Sequence, residues 1–249
     1  MVVGMEGFID RFRDYQDCYT IIGGAACDIL MTDADTEFRV TKDIDMILIM
    51  EAKFKEFARV FWDYVIEGGY EFGWKNSDKV HFYRFTEPKP GYPYMLELFS
   101  REPDYISEVP AGIVPIHIDD DTSSLSAILL NDDYYDFMLS GRKIVSGASI
   151  LGTEYLIPFK MYAWLDLKER KARGEHVNER DLKKHKYDVF RLLQIADRSL
   201  IIQTDGLVRE NIIRFLSEIR EETIPFLQLG LPYEMDEALG YLKALYGTE

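Results

Sequence analysis

Two aspartates, Asp43 and Asp45, sit in the run "DIDMILIM", whose apolar, β-branched character marks it as a central strand. Side chains alternate across a strand, so both carboxylates point to one side while Ile44 and Met46 pack on the other. Like-facing residues lie about 6 to 7 Å apart, and two charges that close raise each other's pKa unless a cation stands beside them. A fold must supply that neighbour. Thirteen positions before Asp43, "IIGGAACDIL" ends, and it holds the pair Gly23 and Gly24 between a short strand ("YTII") and a short helix ("AACDILM"). Such a turn leaves the backbone N–H groups of a helix start open to an anion, with no side chain in the way.

Glu97 repeats the anomaly. It is the single charge in "YMLELF", on a face shared with Met95 and Phe99, where an unpaired carboxylate is rarely tolerated. If its strand neighbours that of Asp43 and Asp45, three carboxylates meet in an oxygen-rich site suited to magnesium or manganese. Alone, Asp-x-Asp more often caps turns or faces water, and a Gly-Gly pair more often makes a tight turn without a ligand. Together they describe a site for a nucleotide and a metal. Arg39 and Thr41 share the alternation of the aspartates, either as substrate contacts or, for Arg39, to neutralise the acids.

Around these residues the pattern reads as an α+β fold. "GFIDRFRDYQDC" is helical, as is "AKFKEFARVFWDYVIEGG", closed by Gly68 and Gly69. From residue 70 the period falls to two, with strands at "YEFGW", "VHFYRF", "YMLELF", "IVPIHI" and "LSAILL". The expectation is a mixed sheet with helices mainly on one face, over residues 1–151. Residues 131–152 are ambiguous. Beyond them, helices are expected at 154–173, 180–198, 208–220 and 233–246, so that 152–249 forms a C-terminal helical domain.

In the second half, Lys160 is the only charge between Tyr155 and Leu165 and falls in the stripe Leu156, Lys160, Ala163, Leu167. A core-facing ammonium needs a phosphate or carboxylate partner, unless its stem snorkels to water. Lys184 and Asp188, four apart, read by default as a surface ion pair. Between 168 and 191, nine basic residues face five acidic ones, against a net charge of −15 for the 249-residue chain. That segment is either a solvated face laced with salt bridges or a phosphate-facing surface; the overall charge repels long nucleic acids.

Cys18 and Cys27 fit neither a disulfide framework nor a zinc set, and the four histidines show no ligand spacing. No window approaches the roughly 18 apolar residues of a membrane span. The stretch "MVVGMEGFIDRFRDYQD" carries charge where a secretion signal is apolar. A cytoplasmic protein with no membrane partner is expected.

"IIGGAACDIL", "RVTKDIDMIL" and "YMLELF" together resemble the signature of the nucleotidyltransferases, and the family they are most similar to is the AbiEii/AbiGii type, many of them toxins of bacterial toxin–antitoxin and phage-defence systems. "TEYLIPFKMYAWLDLKER" and "ERDLKKHKYDVFRLL" resemble that family's C-terminal pattern, with Lys160, Lys184 and Asp188 on matching positions and His185 where the first aspartate is usual. The resemblance implies a nucleotidyltransferase-like mixed sheet and transfer of a nucleoside monophosphate from an NTP to an acceptor hydroxyl, releasing pyrophosphate. It implies Asp43, Asp45 and Glu97 as metal-binding and catalytic residues with Mg2+ or Mn2+. Gly23, Gly24, Lys160 and Lys184 would bind the triphosphate, with Asp188 orienting a lysine or the nucleotide. The acceptor could be RNA such as tRNA, a protein hydroxyl or a small molecule, and an antitoxin could be a partner. The alternative is a nucleotide-binding protein without turnover that acts through a partner.

Overall fold

The computed structural model describes residues 2–49, 53–71, 83–99 and 131–248. The strands expected at 113–118 and 125–130 lie outside these residues, as does most of 70–74. Compact packing divides the chain into two units, Met1–Leu130 with Arg142–Leu151, and Asn131–Gly141 with Gly152–Glu249.

The first unit is a mixed sheet. Its elements are α1 (Met5–Arg11), β1 (Tyr19–Ile22), α2 (Gly23–Asp33), β2 (Asp43–Leu48), α3 (Phe54–Gly68), β3 (Tyr83–Phe85), β4 (Met95–Phe99), β5 (Arg142–Val145) and β6 (Ala148–Leu151). The strand order is β3-β4-β2-β1-β6-β5. β2 runs antiparallel to β1 and parallel to β4, so the strand with the two aspartates is internal, as its apolar sequence requires. The helix expected over 7–18 is two pieces, since after α1 the chain tightens into a 3-10 helix over Arg13–Cys18.

Register assigns the faces. Tyr19 and Ile21 pair with Leu48 and Met46, and Ile44 and Met46 pair with Leu96 and Leu98, so these share one side of the sheet. Aromatic rings cover that side: Tyr19 stacks on Phe57 of α3 at 6.1 Å, and Phe8 of α1 meets Tyr64 edge-on at 5.8 Å. Ile22, Asp45 and Glu97 lie on the opposite side. α3 ends where the sequence signals it, with Gly69 left-handed at φ 64°.

The ambiguous stretch resolves into a helix and a hairpin. α4 (Asp132–Ser140) begins at Asn131, whose side chain accepts from the N–H groups of Asp133 and Tyr134. β5 and β6 form a two-residue hairpin through Ser146 and Gly147, both at positive φ, and β6 joins β1 in parallel.

The second unit contains α4 with α5 (Thr153–Ala172), α6 (Glu179–Ile195), α7 (Gly206–Glu218) and α8 (Met235–Tyr246). α5 packs against α6 and α7, burying Leu156, Phe159, Trp164 and Leu193. Among the described residues, no helix is long and apolar enough to cross a membrane.

Candidate functional site

β1 ends at Ile22 and the chain turns directly into α2. Gly23, at φ 67°, makes that turn, and a Cβ there would lie 2.0 Å from Asp45 Oδ2. A Cβ on Gly24 would lie 2.6 Å from Thr41 Oγ1 and 3.6 Å from Arg39 Nη2. Both glycines are therefore required by close approach, the first also by its left-handed backbone. No side chain caps the N-terminus of α2 and its first turn holds no acidic residue. Its first N–H groups and the positive end of the helix dipole lie beside the Asp45 carboxylate, and such groups favour negative charge. Asp45 thus lies beside Gly23, and Thr41 and Arg39 beside Gly24.

Glu97 lies across from Asp45 on the neighbouring parallel strand, and Asp43 lies two residues away on the same face. Glu97 is 4% exposed. Burial first, then the charge of Asp45, push its carboxyl up to about 8, against the opposing pull of Arg84. Arg84, the cross-strand partner of Glu97 on β3, donates from Nε to Glu97 Oε1 at 2.5 Å and bonds the same oxygen through Nη2. This arginine went unnoticed in the sequence. The available signal was a cation in the short apolar strand preceding that of Glu97.

Arg84 changes the metal expectation. Among the described residues, no three His, Cys, Asp or Glu side chains gather closely enough to hold an ion. Asp45 and Glu97 meet, but Glu97 already has a guanidinium partner, so the expected three-carboxylate cluster is not formed. The remaining pair still suits magnesium, which commonly takes one or two carboxylates and completes its shell with water and substrate phosphates. Asp43 and Asp45 supply hard oxygens on one face, next to the anion-ready turn.

The other expected residues belong to the second unit. Lys160 is 1% exposed and bonds Asp188 Oδ2 at 3.2 Å. Its partner is thus a carboxylate, and the snorkelling alternative is excluded. Asp188 is fully buried and also accepts from Arg191 at 3.3 Å. It does not pair with Lys184, which is half-buried and makes no hydrogen bond or ion pair among the described residues. Asp188 is held instead by Lys160 of α5 and by Arg191, and the four-residue spacing to Lys184 carries no contact. Most of the basic segment is salt-bridged: Lys168 to Glu218, Arg170 and Arg173 to Glu175, Lys171 to Glu179, Lys186 to Glu222. That favours the solvated-face reading. His185 is buried in the same helix.

No family model matches the chain, and no curated protein sequence matches it. The solved structures that this chain is similar to include the following two. One is an antigenic nucleotidyltransferase-like protein from Paracoccidioides brasiliensis, at 12% identity and a TM-score of 0.49, covering 96% of this chain and 90% of that one. The other is JHP933 from Helicobacter pylori, at 16% identity and a TM-score of 0.39, covering 97% of this chain and 87% of that one.

Proposed function

We propose that this chain is a nucleotidyltransferase that moves a nucleoside monophosphate from an NTP to an acceptor hydroxyl. The observation that carries this reading is the approach of Asp45 Oδ2 to the space left by Gly23, which joins a bare helix start to a carboxylate face. An NTP needs both, N–H groups for its outer phosphates and acidic oxygens for the cation that travels with it. Asp43 and Asp45 would hold Mg2+ or Mn2+, which when bound supplies charge neutralisation at the phosphates.

In the transfer, the acceptor oxygen forms a bond to the α-phosphorus as the bond to pyrophosphate breaks. The hydroxyl proton passes to the Asp45–Glu97 carboxyl pair. Thr41 and Arg39, pressed against Gly24, would fix the triphosphate, and alignment of the attacking oxygen supplies much of the rate. Of the two lysines expected at the phosphates, Lys160 is committed to Asp188, which leaves Lys184. The family resemblance extends the proposal to a toxin whose acceptor is RNA, a protein or a small molecule.

Isothermal titration with each NTP and magnesium tests the site. Binding is expected for at least one NTP and is lost in Asp43→Ala/Asp45→Ala; equal affinity in the double variant rejects it. Incubation with α-labelled NTPs and cell extract then tests turnover, since transfer must label an acceptor and release pyrophosphate. Binding without release would favour the partner-acting alternative.

A further inference from the structure

Arg39 sits where a cation is disfavoured. Its Nη2 lies 3.6 Å from the position of a Cβ on Gly24, the second residue of α2, so the guanidinium stands against the start of a helix whose uncapped N–H groups and dipole already present positive charge. Asp45, which approaches the neighbouring Gly23, brings negative charge to the same turn. A second support comes from the residue just before the arginine: Arg39 Cζ lies over the ring of Phe38, 4.8 Å from its centroid. The face of an aromatic ring is the negative part of its quadrupole, so it attracts the guanidinium and stiffens it at once.

The backbone here does not fix Arg39 by regular structure. Residues 36–42 form neither helix nor strand. The connection is tied down towards its ends, where the Thr36 N–H donates to the Met31 carbonyl at 2.8 Å and the Tyr94 N–H donates to the Lys42 carbonyl at 3.1 Å. Between these ties the direction of a long, rotamer-rich side chain depends on what it packs against. A stacked ring restrains the guanidinium without using any of its N–H donors, which all lie in the guanidinium plane. Phe38 is half-buried, so the ring is itself held and can serve as a support.

We propose that Phe38 is a positioning residue for the nucleotide: by stacking on Arg39 it holds the guanidinium at the start of α2, in the orientation that meets the triphosphate of an NTP. This rests on the nucleotidyltransferase reading of the same turn. The ring is not the only contact that Arg39 makes, and its part is to set how the guanidinium is presented. Phe38 acts through Arg39 and touches no part of the nucleotide itself.

The test is a double-mutant cycle on the full chain, read by isothermal titration with each of the four NTPs and magnesium. Phe38→Leu, which keeps apolar bulk and removes the ring face, weakens binding about three- to fivefold. Phe38→Tyr, which restores a ring face, stays within about twofold of wild type. Arg39→Gln weakens binding about tenfold or more, and in that background Phe38→Leu has no further effect. A ring that stacked on the base, or that merely supported the fold, would cost the same with and without Arg39. Phe38→Met repeats the measurement should the leucine variant fail to fold, and failure of both would show that the ring serves the core and overturn the assignment. An equal loss in both backgrounds, no loss in either, or an Arg39→Gln variant that binds as wild type also overturns it, while leaving the nucleotide site standing. If wild type binds none of the four NTPs, the nucleotidyltransferase reading itself fails, and this inference with it.

Discussion

The space a side chain would need on Gly23 is filled by the carboxylate of Asp45: a Cβ there would lie 2.0 Å from Oδ2. The turn and the acid are therefore one construction, and altering the first displaces the second. In Gly23→Ala the left-handed backbone alone costs about 1–3 kcal/mol, and Asp45 must move besides. Urea unfolding should show that loss, and titration with Mg-ATP should show a larger loss of binding than the stability change accounts for. Gly7, with open space around its Cβ position, is the control; Gly7→Ala should leave ATP binding unchanged.

Glu97 makes stability fall as pH rises. In the folded chain, burial and Asp45 keep its proton on up to about pH 8, whereas an unfolded glutamate loses it near pH 4.3. Between those values the folded state binds a proton that the unfolded state lacks, so the stability it confers is fully present below the lower value and is lost towards the upper one. The slope is at most about 1.4 kcal/mol per pH unit and levels off above pH 8. Urea midpoints measured from pH 5 to 9 should follow this course, and the difference should vanish in Glu97→Gln. A parallel pair of profiles would show that Glu97 ionises normally.

Lys160 and Asp188 form a contact in which neither charge reaches water. Removing one partner strands the other, at a cost of about 3–5 kcal/mol. Lys160→Met should therefore unfold in urea well before wild type. Asp188→Asn should cost at least as much, because it releases both Lys160 and Arg191. The double variant should lose less than the sum of the two, a non-additivity that a surface pair would not display.

The alternation of charged and apolar residues in β2 was enough to place Asp43 and Asp45 on one face, because strand period fixes sidedness within a strand whatever the tertiary context; that Glu97 shares this face follows from the register of β4 on β2. Which strands neighbour one another was not readable in that way. Arg84 reaches Glu97 only through the register of β3 on β4, set across a loop whose length specifies no hairpin. In the helical half, the stripe through Lys160 correctly signalled a buried ammonium. Its partner lay 28 residues on, in another helix, beyond the range of local spacing. Spacing suggested Lys184 for Asp188 because neighbours on a helix surface are visible in sequence, whereas the face turned to the core is not. Residues 131–152 were obscure because α4 is short and mixes acids with aromatic residues, yet Asn131 and the Ser146–Gly147 turn were signals of its helix start and of the hairpin.

Pro158 within α5 creates a defect that Tyr246 repairs. Lacking an N–H, the proline cannot donate to the carbonyl of Glu154 four residues earlier, and the Tyr246 hydroxyl donates to that oxygen instead, at 2.6 Å. Tyr246 is 1% exposed, so its hydroxyl has no access to bulk water either. Tyr246→Phe should cost about 1–3 kcal/mol, since it leaves the carbonyl without its donor. The same change made in a Pro158→Ala background should cost less, because alanine restores an N–H within reach of the Glu154 oxygen. A double-mutant cycle by urea unfolding measures the coupling directly; additive losses would show that the hydroxyl stabilises the fold independently of the proline.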